Sequence, residues 1–198
     1  VPKGLFLPVA PGTRLITIGG AIAANVHGKN HHHAGAFGRY VQSFKLLTAD
    51  GQVLLCSNTE NKTLFRSTIG GMGTTGIILE ATLELSRIET AYYQQQSYPA
   101  TSLPHLIELF EKHQSAPYLV AWIDGLATGK QLGRGVLHTG RPCTREELNA
   151  GVFPDPLQVH PPARLSIPRF VPSWLLQPVV LRLNNVFYRW KNRKSVDQ

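Results

Sequence analysis

The sequence predicts an α+β protein in two parts, and three observations predict it. Up to about residue 86, short apolar strands alternate with short helices. Glycines and other small residues are dense over the same stretch. From residue 87 a run of strands encloses one amphipathic helix, the pattern of an antiparallel sheet with helices on one side, before prolines take over. Domains are therefore expected at 1–86 and 87–198.

In the first part, residues 5–9 read as a short apolar strand and Pro11-Gly12-Thr13 as a turn. Thr17 is expected to cap a helix that runs through Gly19, Gly20, Ala21, Ile22, Ala23 and Ala24 to about His27. Residues 41–48 alternate apolar and polar, Ala49-Asp50-Gly51 has turn chemistry, and 52–56 return, which makes a hairpin. A short helix follows over 62–68, and Gly70, Gly71, Gly73 and Gly76 lead into a strand over 77–85. In the second part, strands are expected over 91–98, 118–124 and 132–138. The helix over 102–113 carries Leu103, Leu106, Ile107 and Phe110 on one face. Prolines recurring from Pro154 to Pro178 predict irregular structure or a lid, while the basic stretch 184–191 takes no class from its pattern.

Composition narrows the function classes. With 198 residues and 42% hydrophobic content, the chain can build a core, and it holds no apolar run long enough to span a bilayer. The formal charge of +8, from 20 Lys and Arg against 12 Asp and Glu, gathers toward Arg182, Arg189, Lys191, Arg193 and Lys194. A solvated basic face fits this pattern, and so does attraction to an anionic lipid or a phosphorylated substrate. No nucleic-acid-binding motif accompanies the charge, so no nucleic-acid partner is expected. Cys56 and Cys143 stand far apart and outside any Cys-x-x-Cys spacing, which points to ordinary buried thiols. The opening Val1-Pro2-Lys3-Gly4 has no export pattern and sounds like the middle of a domain. The expectation is an internal fragment of a cytoplasmic protein, with membrane association as the alternative.

The densest chemical signal is PGTRLITIGGAIAANVHGKNHHHAGAFG, from Pro11 to Gly38. A helix whose first turn holds a Thr and two glycines presents unpaired amides and a positive dipole end, which suit a pyrophosphate. Close packing of the same helix on a sheet would also select small residues. The glycines match neither GxGxxG nor GxxxxGK[ST], so nicotinamide and nucleoside-triphosphate motifs are both missing. His31, His32 and His33 are consecutive and cannot all face one centre on a regular element, so no metal site is expected. His27 and Lys29 follow the small-residue helix, where a cation beside a flavin ring and a histidine beside a substrate hydroxyl would do chemistry; a histidine held by local backbone bonds is the plainer alternative. In IGGMGTTGIIL, from Ile69 to Leu79, glycines before a strand suit either backbone contact with a flat cofactor or a tight turn.

PGTRLITIGGAIAANVHGKN, FKLLTADGQVLLC and LFRSTIGGMGTTGIILEATLEL, in this order, closely resemble the FAD-binding domain of the vanillyl-alcohol oxidase superfamily, whose FAD-binding domain is of the PCMH type. The resemblance is clear to about Ser86, and Ala121-Trp122-Ile123-Asp124 with Leu132-Gly133-Arg134-Gly135 look like the start of the superfamily's substrate domain. It implies the second half of a PCMH-type FAD-binding domain followed by an incomplete antiparallel-sheet substrate domain. It also implies FAD as cofactor, and oxidation of a sugar-type or secondary alcohol by hydride transfer to flavin N5. A polyprenyl-phosphate-linked sugar, hence peripheral membrane contact, is one implied substrate. An aldonolactone or alditol oxidase passing electrons to oxygen is the neighbouring reading, and a truncated non-catalytic FAD-fold module is a third; the electron acceptor stays open. Residue by residue, Gly12, Thr17, Ile18, Gly19 and Gly20 match backbone contacts to the cofactor, Ala24, Asn25 and Val26 continue that wall, and Ile78 matches a contact near the strand. His27 and Lys29 match residues facing the ring and the substrate. The fragment by itself is expected to be inactive.

Overall fold

The computed structural model describes residues 1–13, 15–148, 154–159, 172 and 177–192. Most of the proline-dense stretch expected to be irregular or a lid lies outside them. The chain forms two compact units, Val1–Ile88 and Glu89–Gln198, each built around its own antiparallel sheet.

In the first unit, β2 (Val41–Leu47) is the central strand, with β3 (Val53–Ser57) on one side and β4 (Ile77–Leu83) on the other, both antiparallel to it. The β2–β3 hairpin forms because its turn is satisfied locally. The Thr48 amide donates to the Gln52 carbonyl at 2.9 Å, and the Asp50 carboxylate accepts from the Thr48 hydroxyl and from Gln52 Nε2. Val41, Phe44 and Leu46 point inward and meet Ile22, Phe37 and Phe65, with the Phe44 and Phe65 rings stacked at 5.1 Å. The helices are α1 (Ile18–Ala23), α2 (His31–Ala34) and α3 (Lys62–Thr68), and α2 holds the three consecutive histidines in one exposed turn. The expected strand over 5–9 shrinks to β1 (Leu5–Phe6), which pairs with β5 (Ser86–Arg87).

β4 starts where Gly76 permits it. Gly76 has φ +149°, and a Cβ added there would lie 2.3 Å from the Leu47 carbonyl oxygen, a backbone atom that the β2–β4 pairing holds in place. Gly76→Ala is therefore expected to cost about 1–3 kcal/mol. Urea unfolding monitored by circular dichroism checks this, and an unchanged midpoint would show that the β4 entry relaxes freely.

In the second unit, β8 (Gly135–Pro142) lies between β6 (Tyr93–Ala100) and β7 (Tyr118–Ile123), antiparallel to both. On one face, α4 (Leu103–Lys112) lays Leu106 against Ala100 and Leu137, with Tyr98, Leu109, Phe110, Leu119 and Ala121 around them. Ser102, expected as the first helical residue, instead caps α4, its hydroxyl accepting from the His105 amide. The stretch 184–191, which the pattern left unclassified, belongs to a longer helix, α5 (Pro178–Lys191), opened by a proline in its first turn where a missing N–H is harmless. The α5 side chains Asn185 and Tyr188 reach Asp124 and His138 of the same unit, at 2.6 Å and 3.0 Å.

Candidate active site

The predicted site residues all lie in the first unit, most of them on α1 or beside its two ends. Thr17 sits in extended backbone before the helix. Its hydroxyl accepts from the Gly20 amide at 3.0 Å, and its carbonyl accepts from the Ala21 amide at 2.9 Å. The Ile18 and Gly19 amides precede the helix's own ladder, and no side chain at Gly19 shields them. A Cβ built on Gly19 would meet Ile78 Cβ at 3.7 Å, so α1 and β4 bring together two predicted positions that are far apart in sequence. Gly12 is exposed, with open space where a side chain would stand.

The helix does not continue to His27 as the sequence suggested. Asn25 takes a left-handed conformation at φ +43°, which Asn tolerates better than most residues. The amides of Gly70 and Met72 then reach the carbonyls of Ile22 and Ala23 at 3.0 Å and 2.8 Å, closing the end of α1. The Asn25 side chain accepts from the Gly38 amide at 2.8 Å. The amides of Ala24, Asn25 and Val26 donate to Gly20, Ile22 and Ala21, so these positions offer a ligand no free amide. Ala24 is their exposed member.

Past this turn the chain is extended again. His27 bridges Ala36 while the neighbouring Val26 carbonyl accepts from the Phe37 amide at 2.8 Å, so the backbone under His27 is tied down on both sides of the turn. Its ring is exposed and lies edge-on to His31, centroids 5.2 Å apart; Lys29 is exposed beside it. Gly28 is imposed by packing, because a Cβ there would come within 2.6 Å of the Ala10 carbonyl oxygen. Asn30 is buried; its Nδ2 donates to the Pro8 carbonyl at 2.8 Å, and its Oδ1 meets no donor among the described residues. Asn30, Gly38 and the Gly70–Met72 backbone shape this site without having been singled out as site residues. All of them lie in the two segments that the sequence marks out, Pro11 to Gly38 and Ile69 to Leu79.

A six-residue helix is roughly 9 Å long. One end of the site thus offers glycine-flanked amides suited to an anion, and the other a pinned, exposed histidine with a lysine nearby. No group of three or more His, Cys, Asp or Glu close enough to hold a metal occurs among the described residues. The second unit has a cavity of about 280 Å³ lined by Gln94, Gln96, His113, Thr139 and Arg141, among others. Burial and the adjacent Lys112 push the His113 imidazole down.

Thr17, α1 and His27 lie within residues 1–57, which match the family described as FAD binding domain. This match gives the chain an FAD-binding domain, with FAD as its cofactor, and the relatives that share it include FAD-linked oxidases. It is 38% identical to the decaprenylphosphoryl-beta-D-ribose oxidase of Mycolicibacterium smegmatis over 96% of its own length and 42% of that protein. Over 89% of its length it is 40% identical to an uncharacterized protein in the mprA 5' region of Streptomyces coelicolor, 47% of which is covered. A D-arabinono-1,4-lactone oxidase of Yarrowia lipolytica is 37% identical over 41% of the chain and 15% of that enzyme. The chain thus spans under half the length of each of these relatives.

Proposed function

We propose that the protein containing this chain oxidises a CH–OH group of a sugar-type alcohol, with a polyprenyl-phosphate-linked sugar as the favoured substrate. In this reading residues 1–86 belong to the FAD-binding domain and 87–198 begin the substrate domain. The observation that carries it is the extent of the first similarity: it runs through both units, whereas the lactone-oxidase similarity covers 41% of the chain.

The residues fit the cofactor. The Ile18 and Gly19 amides, with the helix dipole behind them, would hold its diphosphate, and Gly12, Gly20, Ala24, Asn25, Val26 and Ile78 would form the wall beside it. When bound, FAD supplies the acceptor for the hydride that leaves the alcohol carbon. His27 takes or orients the hydroxyl proton as the C–H bond breaks, and its fixed backbone keeps the ring from wandering. Lys29 adds positive charge near the developing negative charge.

The test is a visible absorption spectrum of the intact protein. A flavin spectrum that bleaches anaerobically with a polyprenylphosphoryl-β-D-ribose supports the proposal. Bleaching with an aldonolactone alone would favour the lactone-oxidase reading. A protein that takes up no FAD would leave the chain a non-catalytic module.

A further inference from the structure

We infer that α5 is a membrane-surface helix that lies on anionic lipid, independently of the reaction proposed above. The inference starts from the two faces of this helix. At 3.6 residues per turn, Asn185, Tyr188 and Asn192 share one side. That side is docked: Asn185 donates to Asp124 at 2.6 Å, and the Tyr188 ring lies 4.6 Å from that of Trp122. Val179, Leu183, Val186 and Trp190 line the opposite side with Phe187 beside them, and each is between 58% and 67% exposed. Five large apolar side chains on one exposed stripe of one helix form a contiguous patch, unlike scattered surface residues.

Charge identifies the occupant. The helix PVVLRLNNVFYRWK contains no acidic residue, and the exposed Arg182 and Lys191 fall on opposite flanks of the apolar stripe. An apolar strip flanked by long cationic side chains, with a Trp near its end, matches the interface of a bilayer with anionic headgroups: the stripe enters the acyl boundary and the cations reach the phosphates. The chain's net charge of +8 adds attraction of the same sign. With 14 residues α5 is roughly 21 Å long, too short to cross a hydrocarbon core, so it lies in the surface plane.

Vesicle co-sedimentation of the intact protein, without substrate, tests this. The expected result is binding to phosphatidylcholine vesicles that contain phosphatidylglycerol, weaker binding to phosphatidylcholine alone, and loss of binding as salt is raised. Two double variants, Leu183→Asp with Phe187→Asp and Arg182→Glu with Lys191→Glu, should each weaken vesicle affinity by at least about tenfold. Since these side chains are exposed, circular dichroism and thermal melting should match the parent. The inference fails if the parent ignores both vesicle types or if the variants bind as the parent does. A lower melting temperature for the Leu183 and Phe187 variant, in a parent that binds no vesicles, would mean that another segment of the protein covers the stripe. A parent dimer made monomeric by that variant would assign the stripe to a second copy, and either result overturns the lipid assignment.

Discussion

Replacing Asp124 by alanine is expected to destabilise the second unit by roughly 3–5 kcal/mol. Asp124 is buried, and its carboxylate collects four donors: Arg134 through Nε and a terminal nitrogen at 2.8 Å and 2.7 Å, the Leu126 amide at 3.0 Å, and Asn185 Nδ2 at 2.6 Å. Removing it strands a largely buried guanidinium and frees Asn185, one of the side chains that tie α5 to the rest of the unit. Arg134→Met in the Asp124→Ala background should recover part of the loss, because the stranded charge then disappears with its partner. Equilibrium urea unfolding of the parent, Asp124→Ala, Arg134→Met and the double variant measures the cycle. A single-variant loss below about 1 kcal/mol, or a double variant no better than Asp124→Ala, would rule out a paired charge as the source.

The same site has a pH signature. Burial by itself would raise the Asp124 carboxyl, but hydrogen bonds from Arg134, the Leu126 amide and Asn185, together with the Arg134 charge, hold it below its ordinary value. A group depressed in the folded state stabilises the protein above its unfolded value, about 3.9, and that contribution is lost as pH falls through the folded value. The stability gap between parent and Asp124→Ala should accordingly be full near neutrality and narrow below about pH 4.

What the sequence reveals and conceals here follows from how local each determinant is. The β2–β3 hairpin, α3 and the start of α1 are legible because Asp50 and Gln52, the 62–68 pattern and Thr17 act within a few residues of the structure they specify. The end of α1 is not legible. It is closed by amides of Gly70 and Met72, more than forty residues downstream, so no local pattern announces it. The expected strand over 132–138 likewise starts three residues late, at Gly135, because Leu132 accepts from the Leu103 amide and Gly133 turns at φ +74° against Leu103. α5 was hidden by its charge and by the prolines before it. At the site, the juxtaposition of Gly19 with Ile78 depends on α1 packing on β4, and no periodicity in either segment encodes that contact.

His27→Ala is expected to leave FAD uptake by the intact protein unchanged and to slow flavin reduction by its substrate by about 10²–10⁴-fold. The two effects separate because the groups proposed to hold the diphosphate are main-chain amides at the far end of α1, while His27 contributes a side chain beyond its other end. Its backbone is fixed by the bridge to Ala36, and the left-handed turn before it is locked by the Asn25 side chain on the Gly38 amide. Truncating the ring therefore removes the proton acceptor without loosening the frame. Asn25→Ala makes the informative contrast: it leaves the imidazole in place but unlocks the turn, so it should lower both thermal stability and the reduction rate, the latter by less than His27→Ala. Equal reduction rates for parent and His27→Ala in stopped-flow traces would remove His27 from the chemistry and leave it a surface histidine of the FAD-binding domain.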